Sequence, residues 1–259
     1  MIGEDGSFGV NPSFIDYIRA TRPDALPNIG DSRSEVSIPH GTTVLGLRFD
    51  GGVVMAGDRQ ATEGYTIADD RMEKVFATDP SSAMAISGAA GQAVEMVRLF
   101  QLEIEHYEKI TGEQLSLEGR SNRLAQFIRQ NLAMAFQGLV VVPLFGGFDE
   151  TISEGRLFRY DATGGRWEES TFETTGSGGR AAKGSLKKLW KPDMAREEAV
   201  AVAVRALADA AEEDIGTGGP SLSKEIFPTV LVITADGVHK MTDDELRPVV
   251  TAALEGGRG

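Results

Sequence analysis

The sequence contains no cysteine and only three histidines among its 259 residues. The lack of cysteine excludes disulfide bonds, thiolate metal sites and a cysteine nucleophile. The histidines, His40, His106 and His239, do not show the spacing of metal ligands, and they give little support to a Ser-His-Asp enzyme. If the chain is a hydrolase, we therefore expect its general base to come from another group.

Basic charge and long apolar runs are also scarce. The 39 acidic residues outnumber the 26 lysines and arginines, which gives a formal net charge of −13. Nucleic acid and anionic lipid are therefore disfavoured as partners, because both attract a basic surface. The longest apolar stretch, 132–148, is interrupted by Gln137, Gly138 and Pro143, and the N-terminus lacks the basic start of a signal peptide. We expect a soluble, unexported protein of the cytoplasm.

Residues 1–41 differ from the rest of the chain. Four prolines interrupt them and no long periodic run occurs, as in a disordered tail, a docking arm or a propeptide. From Thr42 onward, strand and helix patterns follow one another without an internal repeat or a linker. The sequence therefore predicts a leader, 1–41, and one domain, 42–259.

The order of these patterns predicts the fold class. Alternating runs at 43–49 and 53–58 indicate a hairpin, and apolar residues spaced by three and four indicate two helices within 93–136. Further strands follow, one of them predicted over 166–174, and a third helix is predicted over 193–213. Because hairpins dominate, we expect an α+β fold, a four-layer α-β-β-α sandwich of two mainly antiparallel sheets.

The tetrapeptide Gly41-Thr42-Thr43-Val44 is the first specific feature. An N-terminal threonine supplies its own base, since its α-amino group, with an ordinary pKa of about 7.7–8, lies next to the hydroxyl. Such an enzyme needs no histidine, and it must be made with a leader because an initiator methionine would replace the amine. A preceding glycine lets the backbone bend so that the hydroxyl attacks the carbonyl before it. Two threonines that open a strand are more often structural, so other motifs must support this interpretation.

Five such motifs follow: GDRQAT at 57–62, MEKV at 72–75, SGAAG at 87–91, TGSGG at 175–179 and DIGTGG at 214–219. With them the chain resembles a catalytic β-type subunit of the proteasome core particle, of the actinobacterial type, among the N-terminal-nucleophile hydrolases. The resemblance covers essentially all of 42–259, and the leader is similar to the family's propeptide. It implies the N-terminal-nucleophile hydrolase fold and a threonine endopeptidase that cleaves itself between Gly41 and Thr42. It implies no metal and no organic cofactor.

The resemblance also implies the roles of the central residues. Thr42 would supply Oγ as nucleophile and its amine as proton acceptor. Asp58 would pair with the catalytic Lys74, whose positive charge near Thr42 favours the alkoxide and lowers the proton affinity of the amine. Gly88 matches the position whose N–H points towards the developing oxyanion.

Three further residues would orient the amine. Ser177 matches the serine near the nucleophile, and Asp214 matches the aspartate that orients this network. Many relatives have serine where this chain has Thr217. Threonine keeps the hydroxyl, but the resemblance does not fix the geometry of its hydrogen bonds. The glycine-rich runs around these residues are not phosphate loops, because no Gly-Lys-Ser/Thr follows them.

The resemblance assigns substrate-binding positions as well. The residues that match the primary specificity pocket are all apolar, which predicts a preference for apolar or aromatic residues before the cut; they are Ala61, Met72, Ile86 and Ala90. Thr62 matches a residue whose backbone pairs with extended substrate.

The partners implied are α-type subunits and other β subunits in four stacked seven-membered rings, with an ATP-dependent unfoldase ring acting through the α ring on unfolded proteins. Three alternatives remain open: a non-catalytic ring subunit that keeps the fold as scaffold, a bacterial two-ring peptidase, and a small-molecule amidase. Non-catalytic subunits typically lose the threonine, the lysine or the processing site. Here Gly41, Thr42, Asp58 and Lys74 are all present.

Overall fold

The computed structural model describes residues 42–63 and 66–255, so Gly41 and the rest of the predicted leader lie outside the described residues. Within these ranges the strands are β1 (Thr43–Phe49), β2 (Gly52–Gly57), β3 (Ala61–Glu63), β4 (Thr66–Asp69), β5 (Val75–Asp79), β6 (Ser82–Gly88), β7 (Val141–Asp149), β8 (Glu154–Tyr160), β9 (Arg166–Glu169), β10 (Phe172–Gly176), β11 (Thr229–Thr234) and β12 (Gly237–Lys240). The helices are α1 (Ala90–Thr111), α2 (Leu117–Gln130), α3 (Leu132–Phe136), α4 (Gly179–Leu189), α5 (Arg196–Glu213) and α6 (Asp243–Glu255).

Two antiparallel sheets of five strands each lie at the centre of the fold. The first has the order β10-β1-β2-β11-β12 and the second the order β5-β6-β7-β8-β9, while β3 and β4 form a separate hairpin. The first strand pairs on both sides, so that Thr43 lies opposite Gly176 and Val44 lies opposite Gly57. The start of β1 is therefore next to the segments that follow β2 and β10.

Helices cover the outer face of each sheet. Helices α4, α5 and α6 pack on the first sheet, α1 and α2 pack on the second, and a third apolar cluster lies between the sheets. The three clusters are represented by Leu45, Leu186 and Leu207, by Phe100, Leu124 and Phe145, and by Met55, Leu144 and Leu231. The layers are thus helix, sheet, sheet and helix, which confirms the predicted α+β sandwich.

One predicted strand was wrong, and one predicted helix begins later than expected. The strand predicted over 166–174 is two strands in different sheets, because the chain bends at Ser170 and Thr171 and passes from the second sheet to the first. The helix predicted over 193–213 is confirmed as α5, which begins three residues later, at Arg196. Asp193 lies outside this helix, with a φ of 57° in the left-handed region. The separate helix α4 before it was not predicted.

Side chains near the helix ends explain where two helices begin. Ser116 precedes α2 and accepts a hydrogen bond from the N–H of Gly119 at 3.1 Å. Before α6, the hydroxyl of Thr242 accepts from the N–H of Glu245, whose carboxylate accepts in return from the N–H of Thr242 at 2.7 Å. This is a capping box, which satisfies two orphan donors at once.

None of the helices in 42–63 and 66–255 is both long and apolar enough to span a bilayer.

A buried ion pair joins α2 to the turn between β5 and β6. Arg120 is 6% exposed, and its Nη1 lies 2.5 Å from Asp79 Oδ1 and 3.0 Å from the hydroxyl of Ser81. Burial by itself would raise the pKa of Asp79. The charge of Arg120 and the hydrogen bonds from Arg120, Ser82 and Ser81 outweigh burial and hold that pKa below its usual value.

Replacing Asp79 with asparagine should lower the free energy of unfolding by about 3 kcal/mol, because the variant leaves the charge of Arg120 buried without a counter-ion. Urea unfolding at pH 7 measures the loss. Since the pKa of Asp79 is lowered in the folded state, its contribution is present above the unfolded pKa of about 4 and is lost as the pH falls through the folded pKa. The difference between D79N and the unmodified chain should therefore shrink in acid.

Glu105→Gln is the control for this experiment. Glu105 pairs with Lys109 on an exposed helix surface, and such pairs add little to stability. The urea midpoint of this variant should match that of the unmodified chain. An equal loss in both variants would contradict the special role of the buried pair.

Candidate active site

Thr42 directly precedes β1 and is 7% exposed. Its backbone N–H donates to the hydroxyl of Ser177 at 3.4 Å, and its carbonyl accepts from the N–H of Ser177 at 2.8 Å. Ser177 directly follows β10, which pairs with β1, so the sheet brings together two residues that are 135 positions apart. The structure thus places the predicted nucleophile beside the predicted serine.

Asp58 and Lys74 form a buried ion pair next to the start of β1. Each is 1% exposed, and Lys74 Nζ lies 2.7 Å from Asp58 Oδ1. The ammonium also donates to the backbone carbonyl of Gln60. Burial lowers the pKa of Lys74 below its usual value, although the negative charges of Asp58 and Asp214 act against that shift.

The carboxylate of Asp58 accepts three backbone hydrogen bonds in addition to the one from Lys74. The donors are the N–H groups of Thr43 at 2.8 Å, Gln60 at 3.0 Å and Gly218 at 2.8 Å. A carboxylate has about four acceptor positions, so this one is fully used. It joins the first strand, the segment after β2 and the loop after α5.

Asp214 binds the hydroxyl groups of two other predicted site residues. This residue caps the C-terminus of α5, and its Oδ2 accepts from the hydroxyl of Ser177 at 2.6 Å and from the hydroxyl of Thr217 at 2.6 Å. The threonine at 217 therefore makes a hydroxyl–carboxylate hydrogen bond despite its extra methyl group. The three residues predicted to orient the amine lie together.

Two neighbours of this network were missed in the sequence. The hydroxyl of Thr43 lies 2.6 Å from that of Thr217 and accepts from the N–H of Gly178 at 2.9 Å. A Cβ at Gly178 would lie 2.5 Å from both hydroxyl oxygens, so only glycine fits there. The available signals were the second threonine of the Gly41-Thr42-Thr43 motif and the paired glycines of the 175–179 motif.

Gly88 is the last residue of β6, and it is followed by Ala89, the N-cap residue of α1. Its φ is 107°, and a Cβ would lie 2.0 Å from the carbonyl oxygen of Val140, so the position requires glycine. The adjacent Ser87 hydrogen-bonds across the two sheets to Thr175, 2.9 Å between the hydroxyl oxygens. This contact brings the end of β6 next to the end of β10, where Ser177 lies. The oxyanion role of Gly88 stays a prediction.

The residues predicted to bind substrate lie on three segments around the ion pair. Ala61 and Thr62 are buried on β3, Met72 is half-buried, and Ile86 is buried on β6. Backbone hydrogen bonds join Met72 to Arg59 and Ile86 to Lys74, each at 2.9 Å. Ala90 opens α1, but its side chain lies outside the described part of the structure. That these residues form one pocket stays a prediction.

The sandwich of two antiparallel sheets between helices, with a threonine at the start of the first strand, is the architecture of the N-terminal-nucleophile hydrolases. The sequence model of a family described as "Proteasome subunit" matches residues 38–221. The chain is 51% identical over 246 residues to the "Proteasome subunit beta" of Streptomyces griseus, covering 94% of this chain and 88% of that protein. It is 51% identical over 238 residues to the "Proteasome subunit beta" of Acidimicrobium ferrooxidans, covering 92% and 87%. The chain belongs to the proteasome subunit family, in its β type, which confirms the resemblance to actinobacterial subunits.

Replacing Gly178 with alanine should lower the free energy of unfolding by about 2–3 kcal/mol, because the new Cβ would overlap the hydroxyl groups of Thr43 and Thr217. Gly184→Ala is the matched control, since it lies in α4 and a Cβ there meets no atom within 4 Å. Alanine in the helix should stabilise by about 0.5–1 kcal/mol. Urea unfolding measures both, and equal midpoints for the two variants would show that the close approach at Gly178 has no energetic consequence.

Proposed function

We propose that this chain is the threonine-type endopeptidase subunit of a proteasome core particle, made as a precursor in which 1–41 is a propeptide and 42–259 the peptidase domain. One observation carries the proposal. The nitrogen of Thr42 faces the hydroxyl of Ser177, and the adjacent Thr43 is bound to Asp58, which holds Lys74. Membership in the β type supports the same function.

Activation starts with the chain's own threonine. Oγ of Thr42 attacks the carbonyl carbon of Gly41, the C–N bond to Thr42 breaks, and the hydroxyl proton ends on the leaving nitrogen. The leader becomes an ester on Oγ and the amine is freed. Water then hydrolyses the ester, which releases the leader as a carboxylic acid and restores the hydroxyl. The freed amine stays beside Ser177, where the peptide nitrogen lies in the precursor.

Peptide hydrolysis uses the same atoms. The amine of Thr42 takes the hydroxyl proton as Oγ attacks the substrate carbonyl, and the oxyanion is stabilised by the N–H of Gly88. The amine passes its proton to the leaving peptide amine, which leaves an ester on Oγ. Water attacks this ester, the amine accepts a proton from the water, and Oγ recovers a proton as the product acid departs.

The surrounding residues hold these groups in place. Asp58 orients the ammonium of Lys74, whose charge favours the alkoxide of Thr42. Ser177, Asp214 and Thr217 orient the amine through their shared hydrogen bonds. No histidine is needed, because the base belongs to the nucleophile's own residue.

The proposal includes specificity and partners. The apolar residues Ala61, Met72, Ile86 and Ala90 form the pocket for the side chain before the cut, and the backbone of Thr62 pairs with extended substrate. The subunit forms heptameric rings, two β rings between two α rings. An ATP-dependent unfoldase ring feeds unfolded proteins through the α ring, in the cytoplasm.

The first test is the intact mass of the chain after co-expression with an α-type partner. The unmodified chain should begin at Thr42, whereas Thr42→Ala should keep its full leader because it lacks the attacking hydroxyl. Lys74→Met should also keep the leader, since it removes the charge beside the nucleophile. An unmodified chain that stays full length in assembled rings would favour the non-catalytic scaffold.

Cleavage specificity gives a second test. Fluorogenic peptides with an aromatic residue before the cut should be hydrolysed with kcat/KM at least about tenfold higher than peptides with a basic residue, because no charge in the predicted pocket pairs with a cation. Met72→Glu should narrow this ratio, and Thr42→Ala gives the background rate. Faster cleavage after basic residues by the unmodified chain would show that the pocket assignment is wrong.

A further inference from the structure

Thr43 lies between the ion pair of Lys74 with Asp58 and the hydroxyl groups bound to Asp214. It is completely buried on β1, and its backbone N–H donates to Asp58, the partner of Lys74. Its hydroxyl contacts Thr217, which belongs to the network around Asp214. One residue thus contacts both the aspartate that holds the lysine and the hydroxyl groups that lie near the nucleophile's nitrogen.

The direction of the hydrogen bonds at Thr43 follows from their partners. An ionised carboxylate only accepts, so Thr217 donates its proton to Asp214. The oxygen of Thr217 is then the acceptor for the hydroxyl proton of Thr43, 2.6 Å between the oxygens. The N–H of Gly178 donates to the oxygen of Thr43 at 2.9 Å. The chain runs one way, from a fixed backbone N–H through two hydroxyl groups to the carboxylate.

A second chain of hydrogen bonds ends on the same atom. The nitrogen of Thr42 donates to the hydroxyl of Ser177, and that hydroxyl donates to Oδ2 of Asp214 at 2.6 Å. The two chains share one acceptor oxygen, so the direction and position of one affect the other. Whatever fixes the hydroxyl of Thr217 therefore also fixes where Asp214 holds Ser177.

We infer that Thr43 is a positioning residue for the reaction of Thr42: its hydroxyl orients Thr217 towards Asp214 and so keeps Ser177 aligned with the nucleophile's amine. This inference rests on the proposed peptidase function. It assigns the second threonine of the Thr42-Thr43 pair a role in turnover, in addition to its place in the strand.

A purely structural role would need only the shape of the side chain. Valine has nearly the same shape as threonine, and the next residues of the strand, Val44 and Leu45, are buried and apolar. A hydroxyl at 43 is used both as donor and as acceptor, and it satisfies the buried N–H of Gly178. The hydroxyl of Thr43 is therefore needed for these hydrogen bonds, whereas filling the core would need only the shape of the side chain.

The test compares Thr43→Val and Thr43→Ser with the unmodified chain, each co-expressed with an α-type partner. Loss of the hydroxyl should lower kcat by about tenfold for a peptide with an aromatic residue before the cut, the size expected when one buried hydrogen bond is lost. KM should stay within about twofold, because Thr43 is buried and does not touch substrate. T43S should restore kcat to within about threefold of the unmodified chain. Rates are expressed per chain that begins at Thr42, as counted by intact mass.

Thr78→Val is the matched control. Thr78 is also a buried strand threonine with a hydrogen-bonded hydroxyl, but its partner is Ser82 in the second sheet. T78V should lower the melting temperature about as much as T43V and leave kcat unchanged. Equal losses of kcat in T43V and T78V would overturn the inference. A loss of kcat in T43V that T43S does not restore would also overturn it.

Other outcomes are equally decisive. A T43V chain with kcat within twofold of the unmodified chain would overturn the positioning role while the peptidase function stands. If T43V does not assemble, Thr43→Ala takes its place, and failure of both to assemble would make Thr43 a structural residue and overturn the inference. An unmodified chain no more active than Thr42→Ala would overturn the proposed function itself, and this inference with it.

Discussion

A lysine and an aspartate that are almost completely withdrawn from water must be paired, because an unpartnered charge in such a place costs several kcal/mol. The pair of Lys74 and Asp58 meets this constraint, and it also sets the positions of its neighbours. Three backbone N–H groups, from the first strand, the segment after β2 and the loop after α5, converge on the same carboxylate. The ends of three separate segments are held in one arrangement because the charge has to be satisfied.

Around this pair the two sheets approach each other at the ends of their strands. The hydroxyl groups of Ser87 and Thr175 join β6 to β10 across the layers. Gly88 and Gly178 lie where backbone or hydroxyl oxygens come within 2.5 Å of any added Cβ. Small residues and hydroxyl groups at this edge let the backbone approach closely, while the apolar cluster between the sheets holds the layers together. The hydrogen bonds of the candidate site are thus concentrated at this edge of the two sheets, where small residues leave room for them.

The sequence predicted the sandwich because hairpin and helix patterns are local. It failed at 166–174, where a continuous strand pattern conceals a passage between sheets at Ser170 and Thr171, and it missed α4, whose sequence GRAAKGSLKKL contains glycine at two positions. The grouping of Asp58 with Lys74, and of Ser177 with Asp214 and Thr217, agrees with the family motifs. The motifs that contain Thr43 and Gly178 indicated that these residues matter, but their contacts could not be predicted, because a motif does not identify a partner more than 130 residues away.

The hydrogen bond from Gly218 to Asp58 joins residues that are 160 positions apart. During synthesis, Thr42, Asp58 and Lys74 emerge from the ribosome long before the loop at 214–218. A nascent chain therefore carries these three residues before Gly218, whose N–H completes the hydrogen bonds of Asp58, and contacts of such long range are slow to form. The hydrogen bonds that surround the buried charge of Asp58 are therefore incomplete until residue 218, and with it most of the domain, has been translated.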